Sequence, residues 1–460
     1  MWGRIVAAFP DAPASFTEAS SNASMQTADL LVFPRWLVPV EPPGTVLEDQ
    51  ALVVRDGRIA EILPAAEAAG IVAAETLRLP HHALMPGLVN THAHSAMTLL
   101  RGFADDLPLM DWLQDHIWPA EGAHVSREFC VDGVRLACAE MIRGGTICVN
   151  DMYFFPDATA QVLDEVGMRG SIGLIVFDFP TVWAKDPAEY IHKGLQVHDS
   201  IKGKPLLRTM FAPHAPYTVS DEPLKKVRAY ANELGNGIHM HVHETAFEVH
   251  SAAESGGKRP WQRLKDLDLL GPDFIAVHMT QLSDEEIAET AQYGVHIAHC
   301  PESNLKLASG FCPVDRLLKA GTNVSIGTDG AASNNDLDML GELRSAALIA
   351  KAVAGDASAV SAPQALHMAT LGGAKALGID GETGSLVVGK SADFVAVDLS
   401  AASTQPVYNV ISQLVYAANR NQVTDVFVAG RALLREGRLQ TLDEAAVIAK
   451  AQEWRHKIKP

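Results

Sequence analysis

The feature that most limits how this chain can fold is a repeated alternation through its middle. Short apolar runs recur: "ALMPGLVNTHAH", "TICVNDMY", "GSIGLIVFDF", "LLRTMFAPHAP", "GIHMHVHET", "DFIAVHMT", "VHIAHCP" and "TNVSIGTDG". Amphipathic stretches such as "SDEPLKKVRAYANELG" and "SDEEIAETAQYG" separate them. Apolar runs read as buried parallel strands and amphipathic stretches as covering helices. One helix is expected to begin near Ser126 and to stop at Gly144-Gly145. Eight such units spread over about 250 residues predict an α/β fold, a (β/α)8 TIM-type barrel. A doubly wound sheet is the alternative, but no GxGxxG supports it.

The two ends have a different texture. "ADLLVFPRWLVPV", "ALVVRDGRIAEILP" and "ETLRLPHHALMPG" read as strands, with Asp56-Gly57 as a hairpin turn. "GSLVVGKSADFVAVDL" and "VTDVFVAGRALLREGRL" repeat that texture near the C-terminus. Residues 28–85 and 384–450 are therefore expected to build one small composite β-sandwich domain around a barrel of residues 86–383. Residues 1–27, Ala/Ser-rich and without alternation, are expected to be a disordered tail. Met25, where ordered pattern is about to begin, is a candidate start.

Composition excludes several classes. A formal net charge of −18 argues against nucleic acid and gives no support for docking on anionic lipid. No apolar run approaches the ~20 residues of a membrane helix. The five cysteines form no CxxC pair, which fits reduced thiols in a cytoplasmic protein. The apolar helix "NDLDMLGELRSAALIAKAVAG" could pack on the barrel or form a homo-oligomer face.

A barrel of this kind places its active site at the C-terminal ends of its strands. The expected strand ends carry His92 and His94, then His214, then His239, His241 and His243 with Glu244, then His278, His299 and Asp329. A lone histidine at a strand end is usually a satisfied polar group, and a lone His-x-His is more often not a metal site. Recurrence on five strands is harder to assign to chance. Three histidines and a carboxylate with one open position are a common way to hold a catalytic metal. Periodicity leaves His239, His241 and His243 equivalent, because residues two apart on a strand share one side.

The motifs add a resemblance. "PGLVNTHAH", "HVHET", "VHMTQL", "HCPESNLKLASG" and "GTDGAASNN" resemble those of the amidohydrolase superfamily. The match is nearest to the 5-methylthioadenosine/S-adenosylhomocysteine deaminase family, a relative of s-triazine chlorohydrolases and guanine deaminases. The resemblance implies His92, His94, His241 and Asp329 as ligands of one divalent metal ion per subunit. Glu244 would carry protons, and His278, with Asp329, would contact the activated water. His214 and Glu121 would touch the substrate. The fourth strand has no lysine, which favours one metal over two. Zn²⁺ is the expected ion, with Fe²⁺ as the alternative.

The implied reaction is hydrolytic deamination of an adenosine-type nucleoside by a metal-activated hydroxide. Glu121 could accept both ribose hydroxyls, and Trp112 is among the apolar residues that could line a subsite for a thioether tail. A homocysteine carboxylate would want an arginine. Between Ser171 and Trp183 there is none, and Asp178 would repel it; Arg169 remains as one candidate, and 5′-methylthioadenosine and adenosine are favoured over S-adenosylhomocysteine. The rival readings are a deaminase or chlorohydrolase of guanine, a pterin or an s-triazine, and, in a different class, a metal-free binding barrel.

Overall fold

The structure, a computed structural model, describes residues 27–254 and 257–459. The tail expected at 1–27 lies outside the described residues except for Thr27, which opens the first strand. The N-terminal strands are β1 (Thr27–Leu37), β2 (Leu47–Glu48), β3 (Gln50–Arg55), β4 (Arg58–Pro64) and β5 (Val72–Pro86). Eight strands follow: β6 (Leu88–Ala93), β7 (Thr146–Asp151), β8 (Arg169–Val176), β9 (Leu207–Pro213), β10 (Ile238–Val242), β11 (Phe274–His278), β12 (His296–His299) and β13 (Val324–Ile326). The C-terminal strands are β14 (Phe394–Asp398), β15 (Val423–Val428), β16 (Arg431–Arg435) and β17 (Arg438–Leu439).

β6 to β13 pair in chain order, all parallel, each on one of the eight apolar runs. Every residue of β6, β7, β8, β10 and β11 is buried, as helix-covered parallel strands require. The last strand returns to the first. Thr91 Oγ1 donates to Ile326 O at 2.9 Å, and Asp329 N donates to His92 O at 3.0 Å. Gly327 permits this approach, since a Cβ there would lie 2.8 Å from the backbone nitrogen of His92. The result is a nearly closed (β/α)8 barrel. Its helices carry the expected stop signals. Ser126 caps Arg127–Arg143 by accepting from Phe129 N, and the chain leaves at Gly144 and then Gly145, with φ +86°.

The chain ends meet in one nine-stranded sheet, β17-β16-β15-β14-β5-β1-β3-β4 with β2 on β1. Its pairs are antiparallel except β1 with β5. Asp56-Gly57 forms the β3–β4 turn with both residues left-handed, the geometry of a two-residue type I′ hairpin. Ala429-Gly430 and Glu436-Gly437 do the same later. Two sequence expectations change here. "GSLVV" is not a strand: it lies in turns and coil, with Leu386 N bonded to Pro39 O at 3.0 Å, and the strand starts only at Phe394. The helix Glu444–Ile458 also runs through residue 450 and packs on the barrel. Trp454 Nε1 donates to Asp132 at 2.9 Å, and its ring meets Phe129 edge-on at 5.2 Å. The helix Met339–Ala354 buries Met339, Leu340, Leu343, Ala346, Ala347 and Ala350, and leaves Leu348 and Val353 exposed.

Arg169 requires a correction. It is the first residue of β8, so it lies at the N-terminal end of the barrel, away from the strand ends that carry the histidines. There its guanidinium pairs with buried Asp393 at 2.6 Å and donates to Ser391 Oγ at 2.7 Å. It ties the barrel to the sheet and cannot reach a substrate. Arg169→Ala would leave Asp393 buried without its cation. A loss of about 3–5 kcal/mol in unfolding free energy is expected by denaturant titration, with KM unchanged.

Candidate active site

The barrel brings the strand-end residues into one buried cluster. His92 is the penultimate residue of β6 and His94 follows that strand; His241 is on β10, His278 ends β11, and Asp329 follows β13. His92 Nε2 and His94 Nε2 each lie 3.2 Å from Asp329 Oδ1. His241 Nε2 lies 3.2 Å from His92 Nε2. One donor atom each from His92, His241, His278 and Asp329 fall within 4.8 Å of one another. His94 stands beside this group through its contact with Asp329.

The ring orientations are held from behind. His94 Nδ1 faces Met152 O at 2.5 Å, and His241 Nδ1 faces His214 O at 2.7 Å. A carbonyl only accepts, so both rings carry their proton on Nδ1 and turn Nε2 inward. His92 Nδ1 meets His239 Nε2 at 2.9 Å, and His278 Nδ1 meets Asn304 Oδ1 at 2.8 Å. Asp329 Oδ2 accepts from Ser303 and Ser333 at 2.6 and 2.9 Å, and its Oδ1 accepts from Gly330 N at 2.8 Å. Asp329, His278 and His243 all have positive φ, 61°, 72° and 53°. Such conformations cost energy and persist where surroundings enforce them.

Electrostatics agree with a cation-seeking centre. Burial opposes charge on His94, yet the hydrogen bond and charge of Asp329 outweigh it and raise His94 to about 9. Burial lowers His92 to about 4, against the pull of Asp329. Burial also works against the Asp329 carboxylate, but the two histidines hold it well below the usual range. Buried imidazoles with inward Nε2 atoms around an ionised carboxylate, each oriented by a hydrogen bond behind it, fit a divalent metal.

Above this cluster a cavity encloses about 250 Å³. His94, His241, His278, Asp329 and Glu244 line it, and so do Glu121, Trp112 and His214. Glu244 Oε2 is 3.9 Å from His278 Nε2, and burial raises its carboxyl above the usual range. Burial raises Glu121 to about 7, partly offset by the Tyr153 hydroxyl, which donates to it at 2.7 Å. His214, lowered to about 3 by burial, stacks on Phe177 at 4.6 Å with its Nδ1 3.0 Å from Thr218 Oγ1. Trp112 spends its indole N–H on Ala104 O at 3.0 Å and offers the cavity an apolar face. Of the residues expected to hold metal, substrate or protons, Arg169 is the one placed elsewhere; His239, His243 and His299 do not line the cavity.

Several supporting residues escaped the sequence reading. Ser303, Asn304 and Ser333 sit inside the quoted motifs "HCPESN" and "GTDGAASNN", but nothing in their spacing says which atom they hold. Tyr153 lies two residues past the end of β7, and position after a barrel strand was its only signal.

The sequence pattern of the Amidohydrolase family matches residues 83–433. The chain belongs to the amidohydrolase family. Among relatives of this amidohydrolase is a protein from Saccharophagus degradans named 5-methylthioadenosine/S-adenosylhomocysteine deaminase. The two are 50% identical over 94% of this chain and 97% of that one. A protein from Methanosarcina mazei named 5'-deoxyadenosine deaminase is 42% identical over 93% of this chain and 97% of that one. A crystal structure of an adenosine deaminase from Xanthomonas campestris with bound zinc is 53% identical. It covers 94% of this amidohydrolase and 99% of its own chain, with a TM-score of 0.93. Among the described residues, no helix is long and apolar enough to cross a membrane.

Proposed function

We propose that this amidohydrolase is a zinc-dependent hydrolytic deaminase of adenosine-type nucleosides, releasing ammonia and leaving the inosine derivative. The observation that carries the reading is one cavity lined both by the histidine–aspartate donors with Glu244 and by the buried Glu121–Tyr153 pair. The names of relatives at 50% and 42% identity support it. The ligand set is His92, His94, His241 and Asp329, with His278 left to the water. That assignment uses the two rings whose Nδ1 protons are fixed by backbone carbonyls.

Bound zinc would supply a Lewis acid that makes water nucleophilic at neutral pH. The chain's own groups do the rest. Asn304 accepts the Nδ1 proton of His278, so His278 Nε2 faces the cavity as a base for the water. Glu244, protonated more readily because it is buried, gives its proton to N1 of the purine as C6 becomes tetrahedral. The proton taken from water then goes to the exocyclic amine, which leaves as ammonia. Glu121, steadied by Tyr153, accepts the ribose hydroxyls, and neutral His214 hydrogen-bonds the substrate.

Among the described residues that line the cavity, none is lysine or arginine, and Trp112, Leu113, Trp118, Phe179 and Val182 are apolar. With Arg169 at the other end of the barrel, no guanidinium greets an amino-acid tail. A charge-assisted hydrogen bond contributes about 1.5–3 kcal/mol, so kcat/KM for 5′-methylthioadenosine is expected to exceed that for S-adenosylhomocysteine by about 10–100-fold. The test is ammonia release from adenosine, 5′-deoxyadenosine and the two thioethers, with guanine and a pterin as comparison. Release only from guanine or the pterin would overturn the reading, because neither has a ribose for Glu121 to hold.

A further inference from the structure

Glu248 is buried at 4% exposure, among residues that the proposed chemistry leaves unused. It sits in the first turn of the helix Ala246–Glu254, which follows β10. Its carboxyl folds back on the turn before that helix. Oε1 accepts from His243 N at 3.0 Å and Oε2 accepts from Glu244 N at 2.9 Å. Among the described residues, the groups acting on its charge are the His243 and Glu244 amides and the Glu244 carboxylate, with no lysine or arginine. A buried carboxyl without a cation is costly, and here both of its oxygens are spent on two consecutive backbone amides.

The turn it holds is strained and is gripped from a second element as well. His243 has φ +53°. The carbonyl of Glu244 is taken from the opposite side, by Thr280 Oγ1 at 2.7 Å, and that of His243 by Thr280 N at 3.0 Å. The Glu244 main chain is thus gripped at both polar groups, its N–H by Glu248 and its C=O by Thr280. Only its side chain is left free to face the cavity.

We propose that Glu248 is a positioning residue: it clamps the left-handed turn so that Glu244 is presented to the substrate at the height of the metal centre. The inference rests on Glu244 as the proton carrier of the proposed deamination. A glutamine in place of Glu248 keeps size and one acceptor, but it turns an NH₂ toward a backbone N–H, so one of the two bonds is lost. Near-attack placement is sensitive to shifts of this size.

The experiment is steady-state ammonia release by the zinc-loaded full chain carrying Glu248→Gln, Glu248→Asp, Glu244→Gln, and Glu244→Gln with Glu248→Gln together. The expected result is a kcat about tenfold lower for each single Glu248 variant, with KM within about twofold of the parent and full zinc content. Adding Glu248→Gln to Glu244→Gln is expected to cost nothing more, because the group being positioned is already disabled. Unchanged kcat with a lowered melting temperature would make Glu248 a structural residue only. Losses that multiply in the double variant would mean it acts through something other than Glu244. If Glu248→Gln does not fold, Glu248→Asp carries the same comparison of kcat with KM. An inactive parent enzyme would instead count against the deaminase reading itself, and an active parent with unaffected Glu248 variants against the clamp alone.

Discussion

Chelation of the metal is expected to abolish deamination, and one equivalent of zinc per chain to restore it. The groups that converge on Asp329 are imidazoles, and neither they nor the carboxylate alone makes water a good nucleophile. A bound divalent ion changes the pKa of water from about 15.7 to near 7. Losing that is worth many orders of magnitude, more than any single side chain contributes. Elemental analysis of active and chelated samples beside their rates provides the measurement. Full turnover in metal-free protein would contradict the proposed chemistry. The assignment within the cluster has its own readout. His94→Ala is expected to weaken zinc binding in a chelator competition, whereas His278→Ala is expected to keep zinc and lose rate.

The second large effect is at Glu244. Glu244→Gln is expected to lower kcat by about 10²–10⁴-fold while zinc content and KM change little. The carboxyl lies 3.9 Å from His278 Nε2, and burial raises it above its usual range, the direction a proton donor needs. Glutamine preserves the shape and the clamped main chain but has no proton to give N1. A variant that turned over normally would remove Glu244 from the reaction. A variant that lost zinc would make it a ligand, contrary to the assignment to His92, His94, His241 and Asp329.

The barrel was legible because each strand is a short apolar run bounded by helix signals, and parallel strands bury both faces. The strand-end histidines were legible for the same reason, since chain position there implies position in space. "GSLVV" misled because an apolar run alone does not supply a pairing partner, and Leu386 N bonds to Pro39 O, which lies outside any strand. Arg169 misled because nearness in sequence to the third strand said nothing about which end of the barrel it occupies, and its partner Asp393 lies more than 200 residues later. The choice among His239, His241 and His243 was closed to periodicity. The structure separates them by what stands behind each ring: His239 meets His92, His241 meets the backbone of His214, and His243 Nε2 accepts from Trp261 N at 3.2 Å. Tyr153, Asn304 and Glu248 act by hydrogen bonds across elements, which no local pattern encodes.

The ladder between β5 and β14 has a consequence for synthesis of the protein. It pairs His82 with Asp398 and Pro86 with Phe394, roughly 300 residues apart in the chain. A ribosome emits β5 long before its neighbour exists, so the growing polypeptide displays an unpaired edge throughout translation of the barrel. Unpaired edges invite adventitious pairing between nascent copies. This ladder can therefore form only once residue 398 has been made, and the yield of folded protein is expected to rise at low temperature or with added chaperone.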